Sequence, residues 1–448
     1  MHYKEHIKET FKLALPVSIG FLGHIMLGVI DSIMIGKLGA SYLAASALVN
    51  SLLFLILVLG IGMTVAITPL VAIAKGSNNH DECGIILRQG LIVNLVFSLL
   101  LVAASFFTAE IIIYLDQPAD VVLLAESYMK ILSFSIIPFI VFQSFRQFIE
   151  GLGDTKPAMY INIAANFVNA FGNWLLIYGN WGFPKLELDG AGYASFATRI
   201  FIAVVLMIYV IKIPKYKEYD ASFRFRNINY RMIKKIVNLG IPTGLQMFFE
   251  VGAFSVAAIM IGWMGSEYLA AHQIAINLAS ITFMIILGIS SAATIRVGNF
   301  WGQKNLTELK KASNTALMMS IFMMAAFGLT FIITRSWLPT LYISDSEVIS
   351  LAASLLIFAA IFQIFDGTQA TGLGVLRGMT DVKIPMLMSF VAYWVIGIPF
   401  GYYLGFVNKL NANGVWISLT LALLLAALFF TYRIYRHINN YSFKETAE

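Results

Sequence analysis

The chain has 448 residues, 59% of them hydrophobic and only 12% charged, with a formal net charge of +6. Soluble domains carry about 25% charged residues, so this composition, with a mean hydropathy of +0.80, excludes a soluble globular protein and points to an integral membrane chain. A single cysteine, Cys83, excludes an internal disulfide and a multi-cysteine metal site.

Twelve apolar runs are each long enough to cross a hydrocarbon core of roughly 30 Å as a helix. In chain order they cover residues 11–36, 43–74, 85–107, 121–148, 157–179, 190–213, 236–262, 269–300, 311–334, 346–377, 385–408 and 412–434. They are apolar on all sides and rich in Leu, Ile, Phe and Ala, unlike the alternating ten-residue segments of a membrane β-barrel. The start, MHYKEHIKETFK, lacks the pattern of a cleaved signal peptide, so the first helix is expected to be retained. The predicted fold class is an all-α integral membrane protein with twelve transmembrane helices.

Basic loops stay on the cytoplasmic side of a membrane, and an even span count puts both termini together. With the termini inside, the inner segments and adjoining helix ends hold 24 of the 30 basic residues, whereas the outer loops hold Lys37, Lys185, Arg335 and Lys409. A multi-pass protein with both termini cytoplasmic is therefore expected. Its positive charge reports topology and contact with anionic membrane lipids, and no nucleic-acid partner is implied.

Shifting the sequence by 226 lays IMIGKLGASYLAA (Ile33 to Ala45) on IMIGWMGSEYLAA (Ile259 to Ala271), with nine of thirteen positions identical. The same shift places Pro16 on Pro242, Gly62 on Gly288, Gly76 on Gly302 and Asn79 on Asn305, and a shift of 227 pairs GLGDTK (Gly151 to Lys156) with GMTDVK (Gly378 to Lys383). The chain is internally duplicated. Six spans per copy is an even number, so the copies are parallel repeats, the kind whose interface usually holds a transporter's substrate. Residues 1–213 are read as an N-terminal six-helix lobe, 214–235 as a basic cytoplasmic linker, and 236–448 as a C-terminal six-helix lobe with a cytoplasmic tail. Pro16 and Pro242 are expected to bend the first and seventh helices.

A duplicated scaffold carries its scaffold residues in pairs, so unpaired polar residues inside the spans are informative. Three acids are unpaired: under the shifts Asp31 faces Ala257, Glu250 faces His24, and Asp366 falls on Phe139. An ionised carboxylate in such a helix costs about 2.5 to 3.5 kcal/mol on insertion scales. Two readings offset that cost. Either each acid is neutralised by an internal base, with Arg296, Arg377, His272 and Arg199 available, or it faces a cavity and exchanges a proton for another cation. In the fifth span Asn169 and Asn173 stand four apart and share a helix face. With Asp31 and Thr198 of the sixth span they make either a partial oxygen site for a hard cation such as Na⁺ or an interhelical hydrogen-bond network. His24 and His272 are read as packed histidines. The GLGDTK and GMTDVK loops follow helices and lack Walker spacing, so they are read as turns with a helix-capping Asp, and no ATP site or other cofactor is expected.

These residues carry a family resemblance that covers nearly the whole chain. DSIMIGKLGASYLAA, IMIGWMGSEYLAA, FIEGLGDTKP, FFEVGAF and FDGTQATGLGVLRGMTD with their acids resemble the multidrug and toxic compound extrusion (MATE) transporters, particularly their bacterial NorM-like branch. The resemblance implies that Glu250 and Asp366 are the cation-coupling acids of the C-terminal lobe, with Na⁺ as the metal candidate there. It implies that Asp31 is the acid of the N-terminal lobe, and that Asn169 and Asn173 match that lobe's paired polar positions. Some relatives carry an Asp at the second of these positions, so the site here is less acidic; Thr198 is the loosest transfer. The implied activity is antiport across the bacterial inner membrane: export of small amphipathic organic cations in exchange for Na⁺ or H⁺. A monomer is expected, and no enzyme, since no loop exceeds about 25 residues and no metal or nucleophile constellation appears. A flippase for a lipid-linked saccharide is the alternative.

Overall fold

The structure, a computed structural model, describes residues 1–114, 117–219 and 228–440. The helices in chain order are α1 (Tyr3–Gly36), α2 (Ala40–Val65), α3 (Ile67–Gly76), α4 (His80–Ile111), α5 (Ala119–Phe134), α6 (Ile136–Gly151), α7 (Lys156–Leu176) and α8 (Glu187–Lys212). There follow α9 (Tyr230–Gly262), α10 (Ser266–Gly302), α11 (Leu306–Thr334), α12 (Ser346–Gly378), α13 (Lys383–Phe390), α14 (Ile398–Tyr402) and α15 (Asn411–Asn440). No strand occurs among the described residues. Each of the twelve expected spans corresponds to one helical segment: α2 with α3 form the second, α5 with α6 the fourth, and α13 through residue 407 the eleventh. Of the expected linker, residues 220–227 lie outside the described residues, as does the tail from residue 441.

Three spans depart from a plain helix. The fourth bends by 41° at the break between α5 and α6. The eleventh passes through two π-helical stretches, Val391–Gly397 and Tyr403–Val407, on either side of Pro399, whose missing N–H removes one helical hydrogen bond. Gly397, Gly401 and Gly405 recur every four residues on this segment, and a Cβ at each would meet Ala422, Ser418 and Val415 of α15 within 3.1–3.3 Å. That small-residue face lets two helices approach closely where apolar burial alone gives no drive between them. The third case is α7, which is long enough to span but less apolar than the others, because Asn162, Asn166, Asn169 and Asn173 line one face. That face turns inward: Asn166 donates to the Gly23 carbonyl of α1 at 3.0 Å, and Asn162 is 4% exposed.

The duplication is visible in backbone detail. Asn79 and Asn305 cap α4 and α11 by accepting the N–H of Glu82 and Glu308, as short amide side chains do at helix starts. Gly39 and Gly265 share left-handed φ angles of 138° and 133° before α2 and α10. The aspartates of the paired turns do not cap the helices that follow, contrary to expectation. Asp154 accepts from Lys215 at 2.7 Å and Tyr216 at 2.6 Å, and Asp381 accepts from Arg433 at 2.7 Å. Basic and phenolic donors from later elements win these carboxylates.

By contact the chain forms two compact units, Ile19–Gly244 and Met1–Ser18 with Leu245 onward. Helices α1 and α9 run unbroken through Pro16 and Pro242, and each divides its length between the two units. The dividing points, Ser18 and Gly244, are themselves 226 apart (244 − 18), so the exchange is reciprocal. In one unit Gly62 of α2 lies against the backbone of Gly244; in the other Gly288 of α10 lies against Ser18 and Ala14. In each unit, therefore, the helix stretch crossing from the other repeat packs against a matched glycine.

Candidate functional site

Asp31, half-buried on α1, is met by α7 and α8. Asn173 donates to Asp31 Oδ1 at 2.6 Å, and Ser195 donates to Asp31 Oδ2 at 3.2 Å. Asn173 also donates to Asn169 Oδ1 at 3.2 Å, and Asn169 donates to Ser195 at 3.4 Å, which closes a ring of four side chains. Asn169 and Asn173 are 1% and 0% exposed. Their two carbonyl oxygens do not converge: that of Asn169 is taken by Asn173, and Asn173 Oδ1 is buried with no partner among the described residues. Thr198 does not join the ring, because its hydroxyl donates to the Ala194 carbonyl in its own helix. Ser195, three residues earlier, occupies the position that sequence reasoning gave to Thr198.

In the other unit Glu250 is half-buried on α9, and Asp366 on α12 is 6% exposed. Gln246, one turn before Glu250, donates to Glu250 Oε2 at 2.7 Å, and Arg377 donates to Gln246 Oε1 at 2.7 Å. Gln369, three residues after Asp366, donates to the Tyr393 hydroxyl at 3.2 Å. Its own Oε1 is buried without a partner among the described residues. The Asp366 carboxylate makes no hydrogen bond to another described side chain and feels the charge of Glu250. No three His, Cys, Asp or Glu side chains gather as a metal site among the described residues. The oxygen-bearing side chains of this cluster are two carboxylates, the Gln369 amide and the Tyr393 phenol, oxygen donors of the type that hard cations favour.

None of the four internal bases forms an ion pair with these acids. Arg199 donates to Ser135 at 2.7 Å and lies over the Phe139 ring. His272 accepts from Trp416 at 3.2 Å. Arg377 ends on Gln246. Arg296 donates to the His6 carbonyl and to Thr10, at 2.8 and 2.6 Å, and touches the His6 ring, whose other nitrogen meets Glu308 at 3.1 Å. His24 is exposed and stacks on Phe139. Gln246 and Gln369 escaped sequence reasoning although the signal was present, since each lies one helical turn from an acid and so shares its face.

Fold and site together define a helical membrane protein of two six-span repeats, with a half-buried or buried carboxylate inside the helices of each and no ion pair to it among the described residues. A family model described as MatE matches the chain twice, at residues 16–175 and 242–403, once per repeat. The multidrug resistance protein NorM of Vibrio cholerae is 32% identical over 97% of this chain and 96% of its own length. A probable multidrug resistance protein NorM of Agrobacterium fabrum is 31% identical over 96% and 93%. The chain belongs to the MatE family, on its NorM-like branch. In fold it is similar to the eukaryotic MATE transporter AtDTX14, with a TM-score of 0.88 at 19% identity over 97% of this chain and 96% of that one. A MATE crystal structure in a bent conformation gives a TM-score of 0.89 at 17% identity over 98% of both chains.

Proposed function

We propose that the protein is a secondary active antiporter of the cytoplasmic membrane, with both termini inside, that exports amphipathic, mostly cationic drugs in exchange for Na⁺ or H⁺. The observation that carries this reading is that Glu250 and Asp366 lie inside apolar helices of one unit, within electrostatic reach, and no base forms an ion pair with either among the described residues. Two such carboxylates repel one another when both are ionised, so one of them favours taking up a cation. The relatives' names, multidrug resistance proteins, support drugs as the substrate. In the proposed cycle the driving cation binds the acids from outside and weakens drug binding. Alternating access of the two repeats then releases the cation inward and admits a new drug. The Asp31 ring, with Asn169, Asn173 and Ser195, serves as a second polar site in the other unit.

A monovalent cation entering down 100 mV and a tenfold gradient releases about 2.3 plus 1.4 kcal/mol. Exchange for one monovalent drug cancels the voltage part, leaving about a tenfold drug gradient per cation. Three membrane acids leave room for a second cation. No covalent chemistry enters the cycle, so the drug leaves chemically unchanged. The test is ethidium efflux from vesicles carrying Glu250→Gln or Asp366→Asn protein: each substitution abolishes exchange in folded protein, and full export by both variants overturns the assignment.

A further inference from the structure

Arg377 sits in the last turn of α12, half-buried, and forms no ion pair among the described residues. Its side-chain partner among the described residues is an amide oxygen. That contact fixes the orientation of the Gln246 side chain, because a guanidinium only donates and so must face Oε1. The amide nitrogen is then turned to Glu250, and the two 2.7 Å bonds form a continuous chain from guanidinium to carboxylate. Gln246 is 2% exposed, so it has little room to turn elsewhere. The Arg377 charge acts on Glu250 directly as well.

The duplication singles this chain out. The positions equivalent to Gln246, Glu250 and Arg377 in the first repeat are Gly20, His24 and Glu150, and Glu150 is tied to Arg146 of its own helix at 2.6 Å. The first repeat builds the same scaffold without the relay, so the shared packing does not require it. What remains is an effect on the acid at its end.

We propose that Arg377 is a positioning residue for cation exchange, acting through Gln246 to keep the cation at Glu250 exchangeable; this rests on the reading of Glu250 as a coupling acid. It acts in two ways in the same direction. The locked amide presents N–H to Glu250 and keeps its oxygen away from the cation. The fixed positive charge also opposes a second positive charge at the carboxylate. Arg377 therefore weakens cation binding and speeds release. A unit charge one amide group away from the carboxylate, at an effective dielectric of about 20, alters the affinity of a monovalent cation by roughly tenfold or more.

The experiment uses full-length protein in vesicles, ethidium as the exported probe, and whichever gradient, Na⁺ or proton, drives the wild type. Half-saturating cation concentration and maximal rate are measured separately. Arg377→Gln lowers the half-saturating concentration about tenfold and lowers the maximal rate as well, because release slows. Arg377→Lys, which keeps the charge, stays within about threefold of wild type. Gln246→Glu neutralises the guanidinium in place and shifts half-saturation in the same direction as Arg377→Gln, which keeps the test open should Arg377→Gln not fold. An unchanged or raised half-saturating concentration in folded Arg377→Gln or Gln246→Glu protein overturns the proposal. Glu250→Gln in the same assay separates the two claims: efflux retained there overturns the role of Glu250 itself, whereas efflux lost there with no shift on substitution of Arg377 overturns only the relay.

Discussion

Gly288 of α10 is where the second unit closes on the first turns of α1, and replacing it with alanine tests the reciprocal exchange of α1 and α9. A Cβ there would lie 2.0 Å from Ser18 Oγ, 2.5 Å from the Ala14 carbonyl oxygen and 3.0 Å from the Ser18 nitrogen. The hydroxyl can rotate away, but the carbonyl and amide belong to a helix and cannot, so α1 must shift. Overpacking of this kind costs about 1–3 kcal/mol. The Ser18 hydroxyl also donates to the Ile285 carbonyl at 2.8 Å, and losing that bond adds about 0.5–1.5 kcal/mol. The better helix propensity of alanine returns about 1 kcal/mol, so Gly288→Ala is expected to destabilise by about 1–3 kcal/mol. Gly62→Ala, whose Cβ would meet Gly244 Cα at 2.2 Å with only backbone to give way, matches or exceeds it. Gly28→Ala is the control, since nothing lies within 4 Å of its Cβ, and it is neutral or gains up to about 1 kcal/mol. Thermal unfolding in detergent, followed by the monodisperse fraction on size exclusion, ranks the three. Gly288→Ala and Gly62→Ala melting at or above the Gly28→Ala protein would refute the close approach and the exchange built on it.

In the Asp31 ring, Ser195→Ala removes a donor to the carboxylate and tightens cation binding there by about tenfold or more, the worth of a hydrogen bond to a charged group. Thr198→Ala leaves half-saturation within about twofold, and the reverse pattern in cation titrations of efflux would restore Thr198 to the site. Outside the spans, burial pushes the Asp381 carboxyl up, but hydrogen bonds from His437 and Arg433 outweigh it and hold the group below its ordinary range. A depressed carboxylate contributes stability above its unfolded pKa and loses it as pH falls through the folded value. The melting difference between wild type and Asp381→Asn is therefore full at pH 6–7 and shrinks below about pH 4; a constant difference across that range counts against the ion pair.

Much of this architecture is legible in the residues. Apolar run length dictates the twelve spans, and the repeated IMIG…YLAA segments dictate the duplication, because both depend on local pattern. Sequence reasoning reaches Thr198 and not Ser195, because both lie on one face of α8 and only packing against α7 decides which hydroxyl reaches Asp31. The four bases could not be assigned partners from sequence, since each finds its ligand on a different helix. Gly62 and Gly288 stood out as matched positions, yet their partners in α9 and α1 depend on a helix exchange that has no sequence pattern. The aspartates of the paired turns show the same limit: a capping residue in local terms, each is captured by a donor about 50 or more residues away.

The most direct test of coupled export is ethidium efflux from reconstituted vesicles under a Na⁺ gradient and a pH gradient imposed separately, with wild type beside Glu250→Gln. The account predicts efflux driven by at least one of the two gradients and lost in the variant. Efflux that neither gradient drives, or that Glu250→Gln leaves intact, would contradict it.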